Sequence, residues 1–149
     1  MEWIEVNAEE DIDGLLNKFN YFHDSCLKEL IMHTDSYVNK ELSMGISTGL
    51  DTTIRMLFQR QGEKPSAIEL LFEGVTQFQL RPSSENHDSI ILDAVIFLQD
   101  GSYYWTDYPD WKPGEVNQEV TYISAKHLKW RDVSPWMGAK KRFGVLHED

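Results

Sequence analysis

The first periodic stretch of the chain is helical. Ile12, Leu15, Leu16 and Phe19 fall on one face of an α-helix, with Asp11, Asp13, Asn17 and Lys18 on the other. Asn7 and Glu10 form a capping pattern ahead of it, with Asn in place of the usual Ser or Thr. The spacing predicts a helix from about Ala8 to Phe19, laid by its apolar stripe on the body of the domain.

From Leu27 onward the pattern becomes strand-like, in runs broken by turn residues. Candidate strands cover Leu27–Val38, Leu42–Ser47 and Thr52–Arg60. Leu42, Met44 and Ile46 alternate in the second; Ile54, Met56 and Phe58 share a face in the third, opposite Thr53, Arg55 and Gln59. After a loop at residues 61–65, Ile68, Leu70 and Phe72 alternate, and Thr76, Phe78 and Leu80 keep that parity beyond Gly74, where a kink is expected. Ile90–Gln99 is apolar on both faces, the mark of a central strand covered from both sides. Asp100-Gly101 supplies the positive φ angles of a type I′ hairpin turn into Ser102–Thr106. Tyr108–Asn117 is a turn-rich loop, Val120–Trp130 the last long strand, and the chain beyond Pro135 has no clear period.

One helix followed by about seven or eight closely connected strands implies antiparallel pairing. The expected fold is mainly β (α+β): a curved antiparallel sheet or flattened barrel with the helix over one opening or face, or else a two-sheet sandwich. At 149 residues the chain fits one domain, 1–149.

Charge narrows the choice of partners. A net charge of -11 disfavours nucleic acid and anionic membrane surfaces, and favours a basic protein. Lys126, Lys129, Arg131, Lys140, Lys141 and Arg142 crowd the C-terminal segment against only Asp132, Glu148 and Asp149. Trp130, Trp136 and Phe143 lie among them, so the cluster is expected to pack and to pair with the acidic body. Cys26 is the sole cysteine, which rules out an internal disulfide. The N-terminus lacks a basic and apolar leader, and no run approaches the ~20 residues that span a bilayer. A cytoplasmic location is the expectation.

The most unusual run is Tyr21-Phe22-His23-Asp24-Ser25-Cys26, where helix gives way to strand. His23-Asp24 could be read as part of a metal site, with His33-x-Asp35 and His87-Asp88 recruited to it, or with His33 and His127 as the centre of an enzyme. Adjacent residues on an extended chain point to opposite faces, however, and a zinc site needs three or four converging ligands. A scaffolding role for Phe22, His23, Asp24 and Ser25 is the better reading: Asp24 or Ser25 accepts turn N–H groups, and His23 bonds a nearby carbonyl. Cys26 reads as a small buried residue at a strand start rather than a nucleophile. No catalytic residue, metal or cofactor is expected.

Aromatic residues are densest from Tyr103 to Trp111. Alternation sends half of the strand rings inward. The remainder, beside Asp107 and Asp110, suits a protein interface, or stacking on a carbohydrate.

Phe22-His23-Asp24-Ser25 behind a short N-terminal helix, with Leu71-Phe72-Glu73-Gly74-Val75 in a mid-chain strand, resembles a group of small bacterial proteins. It is similar to the immunity-protein-like families of polymorphic toxin systems, over about Tyr21 to Trp130. The resemblance implies a non-enzymatic protein that binds a cognate toxin and blocks it, and it brings no catalytic residues. The basic C-terminal cluster departs from a uniformly acidic surface. The partner-binding face is placed on Tyr104, Asp107, Tyr108, Asp110 and Trp111, and the partner is expected to be a basic toxin domain. The alternative is a small-ligand or carbohydrate-binding domain that uses the mouth of the curved sheet.

Overall fold

In the computed structural model, which describes residues 1–143, a seven-stranded antiparallel sheet carries one α-helix on its inner face. In chain order the elements are β1 (Ile4–Val6), α1 (Glu9–Lys18), β2 (Ser25–Thr34), β3 (Tyr37–Val38) and β4 (Met44–Gly45). There follow β5 (Thr52–Arg60), β6 (Ala67–Gln79), β7 (Val95–Gln99), β8 (Ser102–Thr106) and β9 (Tyr122–Asp132). The sheet runs β2-β5-β6-β9-β8-β7. One edge of β9 takes β6; the other is shared by β8, along Tyr122–Ala125, and β1, along Leu128–Trp130.

The sheet curls without closing into a barrel. Its edges meet at a single bridge, where Ile91 N–H donates to Ser25 O at 2.8 Å and Asp24 N–H to Ile91 O at 3.0 Å. Curvature comes from two irregularities. A bulge at Lys28 puts Leu27 and Leu30, three residues apart, against the same core. In β6, Gly74 takes φ +64° and a register shift follows between Val75 and Gln77, so one long strand kinks where expected.

Ile12, Leu15 and Leu16 of α1 bury against Ile54, Met56 and Phe58 of β5 and Ile68, Leu70 and Phe72 of β6, with Trp105 and Trp130. Each such fully buried side chain is worth about 1.5–3 kcal/mol. This core is why the helix and the alternating strands form together.

The outer face has its own cover. Glu69, fully buried on β6, takes Arg55 of β5 on one oxygen (Nε at 2.6 Å) and Arg131 of β9 on the other (Nε and an Nη at 2.8 Å). Trp3 and Trp136 lie over the Arg131 guanidinium and Phe143 over that of Arg55. Lys129 pairs with Glu73 at 3.3 Å, and Arg142 N–H donates to the Glu29 carboxylate at 2.6 Å. The basic C-terminal segment thus packs onto the acidic body, although Lys140 and Lys141 stay exposed. Glu148 and Asp149 lie outside the described residues.

Several boundaries differ from the sequence reading. The helix begins one residue later: Ala8 is its N-cap, and the Asp11 carboxylate, rather than Glu10, accepts from Asn7 N–H at 2.8 Å and Ala8 N–H at 3.0 Å. β1 was not expected; with one of its three residues buried, it is too short for a period to register. Leu27–Val38 divides into β2 and β3, and only Met44–Gly45 of the Leu42–Ser47 run pairs as strand. Ile90–Gln99 is not a central strand: β7 starts at Val95 and is an edge. Its two-faced apolarity has a local cause, Ile96 entering the core while Phe97 stacks on Tyr104 at 5.0 Å on the other face. Among the described residues no helix is long and apolar enough to cross a membrane.

Candidate functional site

The helix-to-strand junction is a left-handed turn. Asn20, Tyr21 and Phe22 take φ of 49°, 52° and 59°, and Asp24 takes 57°. Left-handed backbone costs a non-glycine residue roughly 1–2 kcal/mol, so packing must hold this turn in place. Phe22 does so. It is fully buried, with its ring edge-on to Phe19, Phe58 and Trp105 at centroid distances of 5.2, 4.8 and 5.8 Å.

The polar residues of the junction tie it to the strand entry. Ser25 Oγ donates to Phe22 O at 2.6 Å, and Ala94 N–H donates to Tyr21 O at 2.8 Å. Ser25 Oγ therefore donates a hydrogen bond to a carbonyl of the turn rather than accepting one from its N–H groups. His23 Nδ1 donates to Leu92 O at 2.6 Å, since a carbonyl can only accept. Asp24 lies 3.5 Å from His23 Nε2 and Asp93 3.9 Å from Nδ1. The Leu92 carbonyl, then the Asp24 and Asp93 carboxylates, raise the imidazole pKa above its ordinary value.

The histidines do not converge. His33 is paired with Thr53, Thr53 with Glu73, and Glu73 with His127, so three strand spacings, ~14 Å, separate His33 from His127. His33 lies eight residues past Ser25 along β2, roughly 26 Å, so it and His23 stand at opposite ends of that strand. Among the described residues no three His, Cys, Asp or Glu are grouped to hold a metal. Cys26 is half-buried rather than buried, and with Asp24 and Arg60 it lines a shallow pocket of about 270 Å³.

The aromatic loop between β8 and β9 folds back on the sheet. Trp111 is buried, stacked on Tyr122 at 4.3 Å, and its indole N–H donates to Glu115 O at 3.2 Å. Tyr104 is half-buried between Phe97 and Trp111. Asp107 is half-buried, with Oδ1 accepting Thr121 N–H at 3.0 Å, and burial raises its carboxyl pKa. Of the five residues assigned to a partner-binding face, only Tyr108 and Asp110 are exposed. Trp111 must be removed from that face: the turns around Pro109 and Pro113 return its ring to the sheet.

Two other features stand out. A cavity of about 540 Å³ opens at the mouth of the curved sheet, between residues 80–92 and the inner strands, with Trp105, Asp107 and Thr121 in its wall. The β3–β4 hairpin leaves the body between β2 and β5 with its apolar side chains uncovered. Tyr37, Val38, Leu42, Met44, Ile46 and Leu50 are 56–86% exposed, and Met32 at the end of β2 is 56% exposed. The hairpin is nonetheless well tied: Asn39 Oδ1 accepts from Glu41 N–H and Ser43 N–H at 3.0 Å, and Ser36 Oγ donates to Asp51 at 3.1 Å.

Sequence reasoning took the hairpin residues for ordinary strand, because alternation shows that a face is apolar and not that anything covers it. The brevity of the run between Val38 and Thr52 and its Asn39-Lys40-Glu41 turn are the signals that could have marked a projecting arm. Comparison of the chain with protein-family models, curated proteins and solved structures gives no match.

Proposed function

We propose that this protein is a non-enzymatic binding domain that captures a basic protein partner, as an immunity-type protein captures a cognate toxin. The observation that carries this reading is the β3–β4 hairpin, with its exposed row of large apolar residues. Apolar surface concentrated in this way marks interaction sites on folded proteins, whereas scattered apolar residues are ordinary. An isolated two-stranded hairpin gains little stability by itself, so its order reflects the Asn39 bonds at its tip and the Ser36 bond at its base. Such preorganisation lowers the entropic cost of docking.

β2 and β6 run in the same direction, so the hairpin after β2 and the β8–β9 loop beside the end of β6 leave the sheet in that direction, the hairpin level with Glu73 and His127 and the loop beyond Gln79 and Tyr122. Tyr108 and Asp110 can therefore meet the same partner. The net charge of -11 supplies long-range attraction for a basic surface and raises the encounter rate.

The test is capture of the partner from the native host, followed by affinity measurement with a Leu42→Ser/Met44→Ser/Ile46→Ser variant. Because all three side chains are exposed, the variant keeps its melting temperature and loses at least a hundredfold in affinity. Asp110→Lys slows association and leaves dissociation nearly unchanged. Full affinity in the triple variant would remove the hairpin as the docking element.

A further inference from the structure

β2 is an outer strand of the sheet, and its second half lacks the devices that protect such an edge. Charged side chains, bulges, short length or a covering element ordinarily keep a strand edge from pairing with foreign chain. β1 has three residues, and β7 has five and lies against α1. β2 has ten, and its bulge and its one lysine both fall at Lys28. Leu30-Ile31-Met32-His33-Thr34 is left regular, without a lysine, an arginine or a carboxylate.

The same stretch is open in its hydrogen bonds. Arg60 N–H donates to Ser66 O, just ahead of β6. The even-numbered residues of β5 therefore turn their backbone groups to β6 and the odd-numbered ones to β2. Leu57, Arg55 and Thr53 stand opposite Glu29, Ile31 and His33. The N–H and C=O groups of Leu30, Met32 and Thr34 thus point away from β5, and among the described residues no backbone group bonds them. Leu30 and Met32 share the inner face, with Met32 56% exposed.

Charge selects what can lie there. From Asp24 to Asp51 the chain carries five carboxylates, against Lys28 and Lys40, and Asp88 and Asp93 flank the Ile91 bridge to Ser25. A second copy fits poorly: pairing its β2 about Met32 sets Asp35 opposite Glu29, and each chain brings a charge of -11. We propose that the open edge of β2 takes an extended basic segment of the protein partner as an added strand, held by the outward backbone groups of Leu30, Met32 and Thr34. This site rests on the proposed capture of a basic partner and adds how that partner's backbone is held, beside the hairpin that continues from β2.

Residue-resolved amide exchange by NMR on the intact protein tests it, with acetyl-Lys-Val-Lys-Val-Lys-Val-Lys-amide as the probe. Saturable one-to-one binding slows exchange at Leu30, Met32 and Thr34 at least tenfold and leaves Ile31 and His33, already bonded to β5, unchanged. The acidic counterpart, acetyl-Glu-Val-Glu-Val-Glu-Val-Glu-amide, produces no slowing. Met32→Pro removes one outward N–H without touching the β5 ladder and weakens binding at least tenfold. Met32→Lys, at an exposed side chain, keeps the melting temperature and weakens binding by repulsion, so a folded variant is in hand if the proline is not tolerated. The Leu42→Ser/Met44→Ser/Ile46→Ser variant binds the peptide unchanged, so failure of the edge and failure of the hairpin are read separately. No saturable binding, preference for the acidic peptide, slowing centred on residues 37–46, loss of peptide binding in the hairpin variant, or undiminished affinity in a folded Met32 variant would overturn the assignment. So would a dimer in sedimentation with the same three amides slowed before peptide is added, which gives the edge to a second copy.

Discussion

At the scale of single residues, His23 shows how a chemically suggestive side chain becomes scaffolding. Its ring reaches across 69 positions of sequence to Leu92 O and fastens the helix-to-strand turn to the segment entering β7. That contact and the Asp24 carboxylate raise its pKa above 6.5, so the folded state binds the proton more tightly than the unfolded chain. The resulting stability is fully present below about pH 6.5 and is lost as pH rises through the folded-state value. Urea unfolding across pH 5.5–8.5 should show this decline, and His23→Gln should flatten it; an unchanged slope in the variant would assign the dependence to another group. The sequence disclosed that His23 would bond a carbonyl, since a histidine in a turn needs a partner. Its choice of Leu92 was invisible there, because that pairing follows from the meeting of the two sheet edges. Trp111 was misread for the converse reason: local composition marks a ring as interface-like, but only the path of the loop determines whether the ring faces water.

At the scale of elements, the strands with one covered face were the easiest to read. β5 matches Thr52–Arg60, and the Asp100-Gly101 turn, with φ of 51° and 76°, joins β7 to β8 as its type I′ chemistry requires. β7 and the β3–β4 hairpin were harder, because burial and pairing there depend on what lies alongside. The outer-face clamp was likewise hidden, since nothing in the sequence joins Arg55 and Arg131 to Glu69. Glu69 sits on the middle strand of three and ties both neighbours to it. Its replacement leaves two partly buried guanidinium groups without a counter-charge. Breaking such a pair costs ~3–5 kcal/mol, with the low end fitting arginines that still reach solvent. Glu69→Ala should therefore lose about 3 kcal/mol in urea unfolding; a loss under ~1 kcal/mol would mean that the aromatic cover from Trp3, Trp136 and Phe143 holds this face alone.

At the scale of the whole molecule, the mainly β fold with one N-terminal helix followed from periodicity, and the curved sheet was one of the forms expected. Its opening was not legible, since closure turns on whether β2 pairs with β7 along its length or meets only Ile91, ahead of β7, at one bridge. The candidate surfaces were legible only in part. Net charge pointed to a basic partner, yet among the described residues six exposed large apolar side chains, from Tyr37 to Leu50, lie on an arm rather than on the aromatic loop. The scaffold has three parts: an inner core under α1, an outer face sealed by ion pairs and aromatic rings, and a hairpin with exposed apolar side chains, to which the proposed function assigns contact with the partner. Hydrogen–deuterium exchange of the protein with and without the basic partner proposed above tests this division most directly. The account predicts that protection on binding is gained chiefly at residues 37–50, with Tyr108 and Asp110 as a lesser second zone; protection confined to the outer face, with the hairpin exchanging as freely as before, would contradict it.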